Sequence, residues 1–197
     1  MDNERIKRTF QIKDLKVRSK QLNTGETNSG SPIIIDGYAA VFNSPTVIDG
    51  LYIEEIAPGA FSNFLAKNSD ARCLYNHNWD KILGRMSART LTLEEDSRGL
   101  RFEVELPKTT YANDLAESMR RGDVGECSFL FDTLAQEEDF SGEMPLIRIT
   151  DCELYEVSIV TLPQYEEAKA SMRSKQVIKN QKRRKKIIEK IGGYIHE

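Results

Sequence analysis

Leu91-Thr92-Leu93-Glu94-Glu95-Asp96-Ser97-Arg98-Gly99-Leu100-Arg101-Phe102-Glu103-Val104-Glu105-Leu106 is the stretch that decides the fold class. Leu91 and Leu93 flank Thr92, and Leu100, Phe102, Val104 and Leu106 alternate with Arg101, Glu103 and Glu105. A period of two sends apolar side chains to one face and polar ones to the other, which is the pattern of a half-buried strand. Asp96-Ser97-Arg98-Gly99 supplies turn chemistry between the two runs, so the segment predicts a β-hairpin.

The same alternation recurs on both sides of the hairpin. Upstream, Phe10, Ile12, Leu15 and Val17 predict a first strand, and 33–42 predicts another, interrupted near Asp36-Gly37. Between them, 21–31 is rich in Asn, Thr, Gly and Ser and predicts a flexible loop. Pro58 suits the first turn of a short helix reaching about Lys67, with Phe61, Phe64 and Leu65 on its apolar side. Residues 72–76 predict a strand that delivers His77 at its end, before a polar turn and the segment 82–86.

Downstream, Thr110 is placed to cap a helix over 111–121 that buries Leu115 and Met119 and stops at Gly122. Strands follow around Ser128 and from about 146 to 160, and a long helix is predicted at the C-terminus. Without regular βαβ alternation the chain reads as mainly β with flanking helices, an α+β class. A closed or strongly curved β-barrel is favoured over a doubly wound sheet. The expected division is an N-terminal strand and loop over 1–31, a main domain over 32–170 and a basic tail over 171–197.

A chain of 197 residues with 39% hydrophobic content can build one sizeable core, since roughly 150 residues is a common domain size. No segment reaches the ~18 apolar residues of a membrane span, and the charged start carries no signal-peptide core, so a soluble, cytoplasmic protein is expected. Cys73, Cys127 and Cys152 lie in apolar, strand-like surroundings and predict buried, reduced thiols. They lack Cys-x-x-Cys spacing, so no metal site and no cofactor are expected. The net charge of −3 hides an asymmetry: from Lys169 onward ten Lys or Arg face two Glu, leaving −11 on the preceding residues. An acidic body with a basic tail points to a tail that contacts an acidic surface, or to a solvated helix.

Outside the extreme C-terminus, where His196 lies, the only histidine is His77, in Leu74-Tyr75-Asn76-His77-Asn78-Trp79. For hydrolytic chemistry near neutral pH it is the candidate general base, because imidazole alone among side chains ordinarily titrates there. A satisfied structural histidine is the plainer alternative. Two apolar runs offer partners: Gly125-Glu126-Cys127-Ser128-Phe129-Leu130-Phe131 and Leu154-Tyr155-Glu156-Val157-Ser158-Ile159-Val160. Interior polar groups must be paired, and a nucleophile, base and orienting acid would account for Ser128, His77 and Glu156 together. Strand alternation points Ser128 away from Cys127 and puts Glu156 and Ser158 on one face; Glu153 would need a bulge to join them. Three rivals stay open: ordinary polar residues in a binding module, a cysteine hydrolase using Cys127, and a nucleic-acid-binding protein led by its tail.

Five segments, in this order, resemble the prohead maturation proteases of tailed phages, which are similar in fold to the herpesvirus assemblins. They are Gly37-Tyr38-Ala39-Ala40-Val41-Phe42-Asn43, Glu55-Ile56-Ala57-Pro58-Gly59-Ala60-Phe61, Asn76-His77 followed by Leu83-Gly84-Arg85, Cys127-Ser128-Phe129, and Glu156-Val157-Ser158-Ile159-Val160-Thr161-Leu162-Pro163. Pro163-Gln164 departs from the family's usual Pro-Ala, in the turn rather than in the chemistry. The resemblance implies Ser128 as nucleophile, His77 as base and Glu156 as third member, without metal or cofactor. Arg85 is read as a structural ion pair in preference to a support for the oxyanion.

The resemblance further implies a serine endopeptidase of head maturation, acting within the assembling procapsid in the host cytoplasm. Its implied substrates are scaffold protein, the scaffolding region of the major capsid protein, and itself; its implied oligomer is a homodimer. For the tail, with Val177, Ile178, Ile187, Ile188 and Ile191 among the basic residues, it suggests an amphipathic helix that recruits the protease to the shell and is trimmed by self-cleavage. Nucleic-acid contact by the tail is the less favoured alternative. A non-catalytic capsid- or scaffold-binding assembly protein is the rival function.

Overall fold

The computed structural model describes residues 6–10, 15–19, 32–48, 50–67 and 69–161. In chain order the elements are β1 (Ile6–Phe10), β2 (Lys16–Ser19), β3 (Ile33–Val41), β4 (Thr46–Ile48), β5 (Tyr52–Ile56), α1 (Ser62–Ala66), β6 (Arg72–Tyr75), β7 (Asn78–Arg85), β8 (Leu91–Glu95), β9 (Gly99–Glu105), α2 (Thr110–Arg121), β10 (Glu126–Asp139) and β11 (Leu146–Val160). The expected basic tail and terminal helix lie outside the described residues, as does the expected loop over 21–31.

The Leu91–Leu106 stretch folds as its alternation requires. β8 and β9 pair antiparallel with Leu91 opposite Val104 and Leu93 opposite Phe102, and all four side chains are buried. Joined by β3 and β2, they form a four-stranded sheet in the order β2-β3-β9-β8. β3 runs unbroken through Asp36-Gly37; the irregularity falls later, between Tyr38 and Ala40, where the register against β9 shifts. At that point Gly99 is obligatory, because a Cβ there would stand 2.0 Å from the Ala40 carbonyl oxygen.

The second sheet runs β1-β10-β11-β5-β4, with β6 also on β11 and β7 on β6. The expected barrel does not form. The 15 residues of β11 pair antiparallel with β10, while their first part pairs parallel with β5 and their last part parallel with β6. Two short strands thus share one edge of a long one, so the sheet forks instead of curling back on itself. The predicted single first strand is in fact two strands, β1 and β2, which belong to different sheets.

One apolar cluster draws side chains from both sheets: Ile35, Ala40, Leu100, Phe102 and Val104 from the smaller, and Cys73, Phe129, Phe131, Ile149 and Val157 from the larger. Phe42, Phe61, Phe129 and Phe131 make a chain of ring contacts through it, with centroids 6.4, 6.0 and 5.2 Å apart in turn. Burying an aromatic or branched aliphatic side chain contributes about 1.5–3 kcal/mol, so this cluster is the main source of stability.

The helices deviate in detail from expectation. Pro58 to Phe61 form turns, and α1 begins only at Ser62; Glu95 accepts the Gly59 N–H at 2.8 Å and the Ser62 hydroxyl, which holds the turn to β8. α2 starts one residue early, with Thr109 at the cap position and no side-chain cap bond, and buries Ala112, Leu115, Ala116 and Met119. Gly122 stops it in the left-handed region at φ 83°, and Asp123 N–H closes on the Ser118 carbonyl at 2.9 Å, as the sequence anticipates.

Candidate active site

β6 and β7 form a hairpin whose last pair is Tyr75 opposite Asn78, leaving Asn76 and His77 as a two-residue loop. Both loop residues are left-handed, with φ 54° and 55°. A two-residue hairpin of the I′ class needs positive φ at both central positions; asparagine accepts it readily, whereas histidine does so at a cost of about 1–2 kcal/mol. The expected polar turn after His77 is therefore absent, since β7 begins at Asn78, directly after it.

Contacts with the end of β11 offset that cost. Asn76 N–H donates to the Ile159 carbonyl at 3.0 Å, and Thr161 N–H donates to Asn76 Oδ1 at 2.9 Å. His77 N–H donates to Ser158 Oγ at 3.1 Å, and its Nδ1 lies 2.6 Å from Glu156 Oε1. Ser158 in turn donates its hydroxyl to Glu156 Oε2 at 2.5 Å. A carboxylate can only accept, so Nδ1 carries the imidazole proton and Nε2 is the basic nitrogen. Nε2 is buried without a hydrogen-bond partner.

Ser128 joins this group through sheet register. It stands opposite Ser158 in the β10–β11 pair, with Leu130 opposite Glu156, and directly opposed residues in an antiparallel pair share a face. The face holding Ser128 and Leu130 therefore also holds Glu156 and Ser158, beneath the loop that carries His77. All four of these strand side chains are buried, as is the His77 ring, so their mutual contacts act without competition from bulk water. The structure thus gathers His77, Ser128 and Glu156 at one place.

Of the other candidates, Glu153 shares the face of Glu156 and Arg85 lies apart from it. The β10–β11 register skips Tyr155 between the Leu130–Glu156 and Phe131–Leu154 pairs, which is the bulge needed to bring Glu153 to the Glu156 face, where it opposes Asp132. Tyr155 donates its hydroxyl to Asp132 Oδ2 at 2.7 Å. Arg85, at the opposite end of β7 from the His77 loop, pairs with Asp70 through Nε at 2.7 Å and Nη2 at 2.6 Å, as its ion-pair reading expects. The middle residue of Leu83-Gly84-Arg85 serves packing: a Cβ on Gly84 would lie 2.4 Å from Val104 Cγ2 and 2.8 Å from the Thr90 carbonyl oxygen.

Cys127 faces the core, away from Ser128. Burial first, and the nearby Glu156 charge second, push its thiol far above the usual range; burial, Cys127 and Glu156 do the same to Cys73. Cys152 is raised likewise by burial and Asp151. A cysteine nucleophile needs a depressed pKa and access to solvent, and Cys127 has neither. Iodoacetamide near neutral pH should leave all three thiols of the native protein unmodified and alkylate them only in denaturant, as read by intact mass. Fast labelling of Cys127 in the folded protein would restore the cysteine reading. Among the described residues, no three His, Cys, Asp or Glu side chains are grouped to hold a metal ion, and no helix is long and apolar enough to cross a membrane.

Sequence reasoning passed over Ser158 and Asn76. The signal for Ser158 was present in its shared face with Glu156. That for Asn76 was the residue type itself, which favours the left-handed loop geometry.

No curated protein matches the chain in sequence. Among solved structures, the bacteriophage T4 capsid assembly protease gp21 is similar in fold, with a TM-score of 0.55 at 9% identity over 81% of this chain and 98% of that one. A family model described as caudovirus prohead serine protease matches residues 13–183. With most of its length inside that match, the chain belongs to the caudovirus prohead serine protease family.

Proposed function

We propose that this prohead protease is a Ser-His-Glu endopeptidase, with Ser128 as nucleophile, His77 as general base and Glu156 as the acid that orients it. The observation that carries the proposal is the 2.6 Å contact between Glu156 Oε1 and His77 Nδ1, which commits the ring proton to Glu156 and leaves Nε2 as the base. Ser128 Oγ attacks the peptide carbonyl carbon while its proton passes to Nε2. The C–N bond then breaks as Nε2 returns that proton to the leaving amine. Water, deprotonated in turn by Nε2, hydrolyses the acyl ester and releases Ser128. Glu156 remains ionised throughout and stabilises the imidazolium. Catalytic hydrogen bonds tighten when substrate binds, so the unpartnered Nε2 is compatible with this role.

Its substrates are scaffold protein or the scaffolding region of the major capsid protein, together with the protease chain itself, inside the procapsid within the host cytoplasm. Cleavage after shell closure makes assembly irreversible and clears space for DNA. Residues 32–170 form the protease domain, the active form is a homodimer, and the basic residues after Lys169 recruit the chain to the shell.

Intact-mass measurement on wild-type chain and Ser128→Ala, each alone and co-assembled with the capsid protein of the same genome, tests this function. Defined fragments from wild type and none from Ser128→Ala are expected. If both chains and the capsid protein stay whole, the protein is a non-catalytic assembly factor instead.

A further inference from the structure

We propose that Ser158 is a positioning residue of the hydrolytic site, a role that rests on Ser128, His77 and Glu156 being the reacting set. The three short contacts form a closed ring. His77 N–H donates to Ser158 Oγ at 3.1 Å, Ser158 O–H donates to Glu156 Oε2 at 2.5 Å, and Glu156 Oε1 accepts a hydrogen bond from His77 Nδ1–H at 2.6 Å. The ring begins and ends on His77, so one hydroxyl couples the histidine's backbone to the carboxylate that holds its imidazole.

Each link constrains the next. A serine hydroxyl has one proton; the His77 N–H occupies a lone pair, and that single proton goes to Glu156. Glu156 is 1% exposed and Ser158 is fully buried, so water does not replace either partner. The terminal carboxylate torsion of a glutamate is intrinsically broad and two-fold. Holding Oε2 removes that freedom and aims Oε1 at Nδ1. The Ser158 contact also anchors the His77 main chain at its left-handed φ of 55°, which fixes the loop from which the ring projects.

A buried serine in a strand usually satisfies its hydroxyl locally and has no further consequence. Ser158 differs in that its oxygen receives a proton from another element, the β6–β7 loop, and it directly opposes Ser128 in the sheet. Without the hydroxyl, Glu156 could rotate and the loop could shift, and both motions would misdirect Nε2 while the core face of β11, built on Val157 and Ile159, remained packed.

The test uses the full chain. Ser158→Ala, Ser158→Thr and Ser128→Ala are compared for kcat and KM on the capsid-derived substrate and for thermal unfolding, and the Nδ1 proton resonance of His77 is followed by NMR. Ser158→Ala should lose about 10–100-fold in kcat, with KM changed less than about twofold; this is the size of loss known when the hydrogen-bond partner of a metal-ligating side chain is removed, the analogue of a side chain that holds an orienting carboxylate. Ser158→Thr, which keeps the hydroxyl, should recover most of that loss. The downfield Nδ1 resonance should broaden in Ser158→Ala, including in a Ser128→Ala background where no turnover occurs.

Unchanged kcat and an unchanged resonance in Ser158→Ala would overturn the proposal, as would a loss that follows only the folded fraction. If Ser128→Ala still cleaves, the hydrolytic set itself is wrong and the role of Ser158 falls with it. A dead Ser128→Ala beside an unimpaired Ser158→Ala removes the proposal alone. Should Ser158→Ala fail to fold, Ser158→Cys decides by the same readouts, because a thiol nearly fills the space but donates weakly.

Discussion

Glu156→Gln should lower the rate of substrate cleavage by about 10⁴-fold while leaving the protein folded, the size of effect known when the buried acid of a serine-protease triad becomes an amide. The side-chain shape is preserved, so the contacts with Ser158 Oγ at 2.5 Å and His77 Nδ1 at 2.6 Å retain their geometry. What changes is the hydrogen-bond logic. An amide can turn its N–H₂ toward the imidazole, which moves the ring proton to Nε2 and removes the lone pair that must accept the Ser128 proton. Even with its oxygen toward Nδ1, the glutamine carries no charge to stabilise the imidazolium of the transition state. Single-turnover cleavage of the capsid-derived substrate measures the loss, with substrate binding expected to change little. A Glu156→Gln chain that cleaves within about tenfold of wild type would remove Glu156 from the mechanism and leave a Ser-His pair.

The parts of this fold that alternation controls could be read from residues. The β8–β9 hairpin has the expected register because Leu91, Leu93, Phe102 and Val104 have only one way to reach the core together. The stop at Gly122 and the opposition of Ser128 to Cys127 follow from equally local rules. The forking of the larger sheet did not follow, because nothing in the sequence of β11 says that its two ends serve different neighbours. Nor did the separation of β1 from β2, since pairing partners are a long-range property, and a short apolar alternation can add to either sheet. The site was partly accessible for the same reason. Residue types and faces nominated His77, Ser128 and Glu156, but the two-residue loop at Asn76-His77 depends on β7 starting directly at Asn78, which periodicity alone did not reveal. The ring through Ser158 required distances.

Ser128→Ala and His77→Ala should each reduce cleavage by about 10⁴–10⁶-fold, and the double variant should be no slower than the slower single one. Groups that act as one unit in a serine hydrolase show this non-additivity, because once the nucleophile is gone its base has nothing to activate. The geometry places the two residues to act that way: Ser128 shares a face with Ser158 and Glu156, whose contacts hold His77. Independent roles, such as a structural histidine beside an unrelated serine, would multiply the two losses instead. Stability must be followed alongside, since His77→Ala removes the ring partner of a fully buried carboxylate and leaves Glu156 only the Ser158 donor. Leaving a buried hydrogen-bonding group without its partner costs about 1–3 kcal/mol, and more when that group is charged. His77→Ala should therefore unfold at lower temperature than Ser128→Ala, and cleavage must be compared where both are folded. A double variant slower than either single one by the product of their separate effects would show that Ser128 and His77 do not form one catalytic unit.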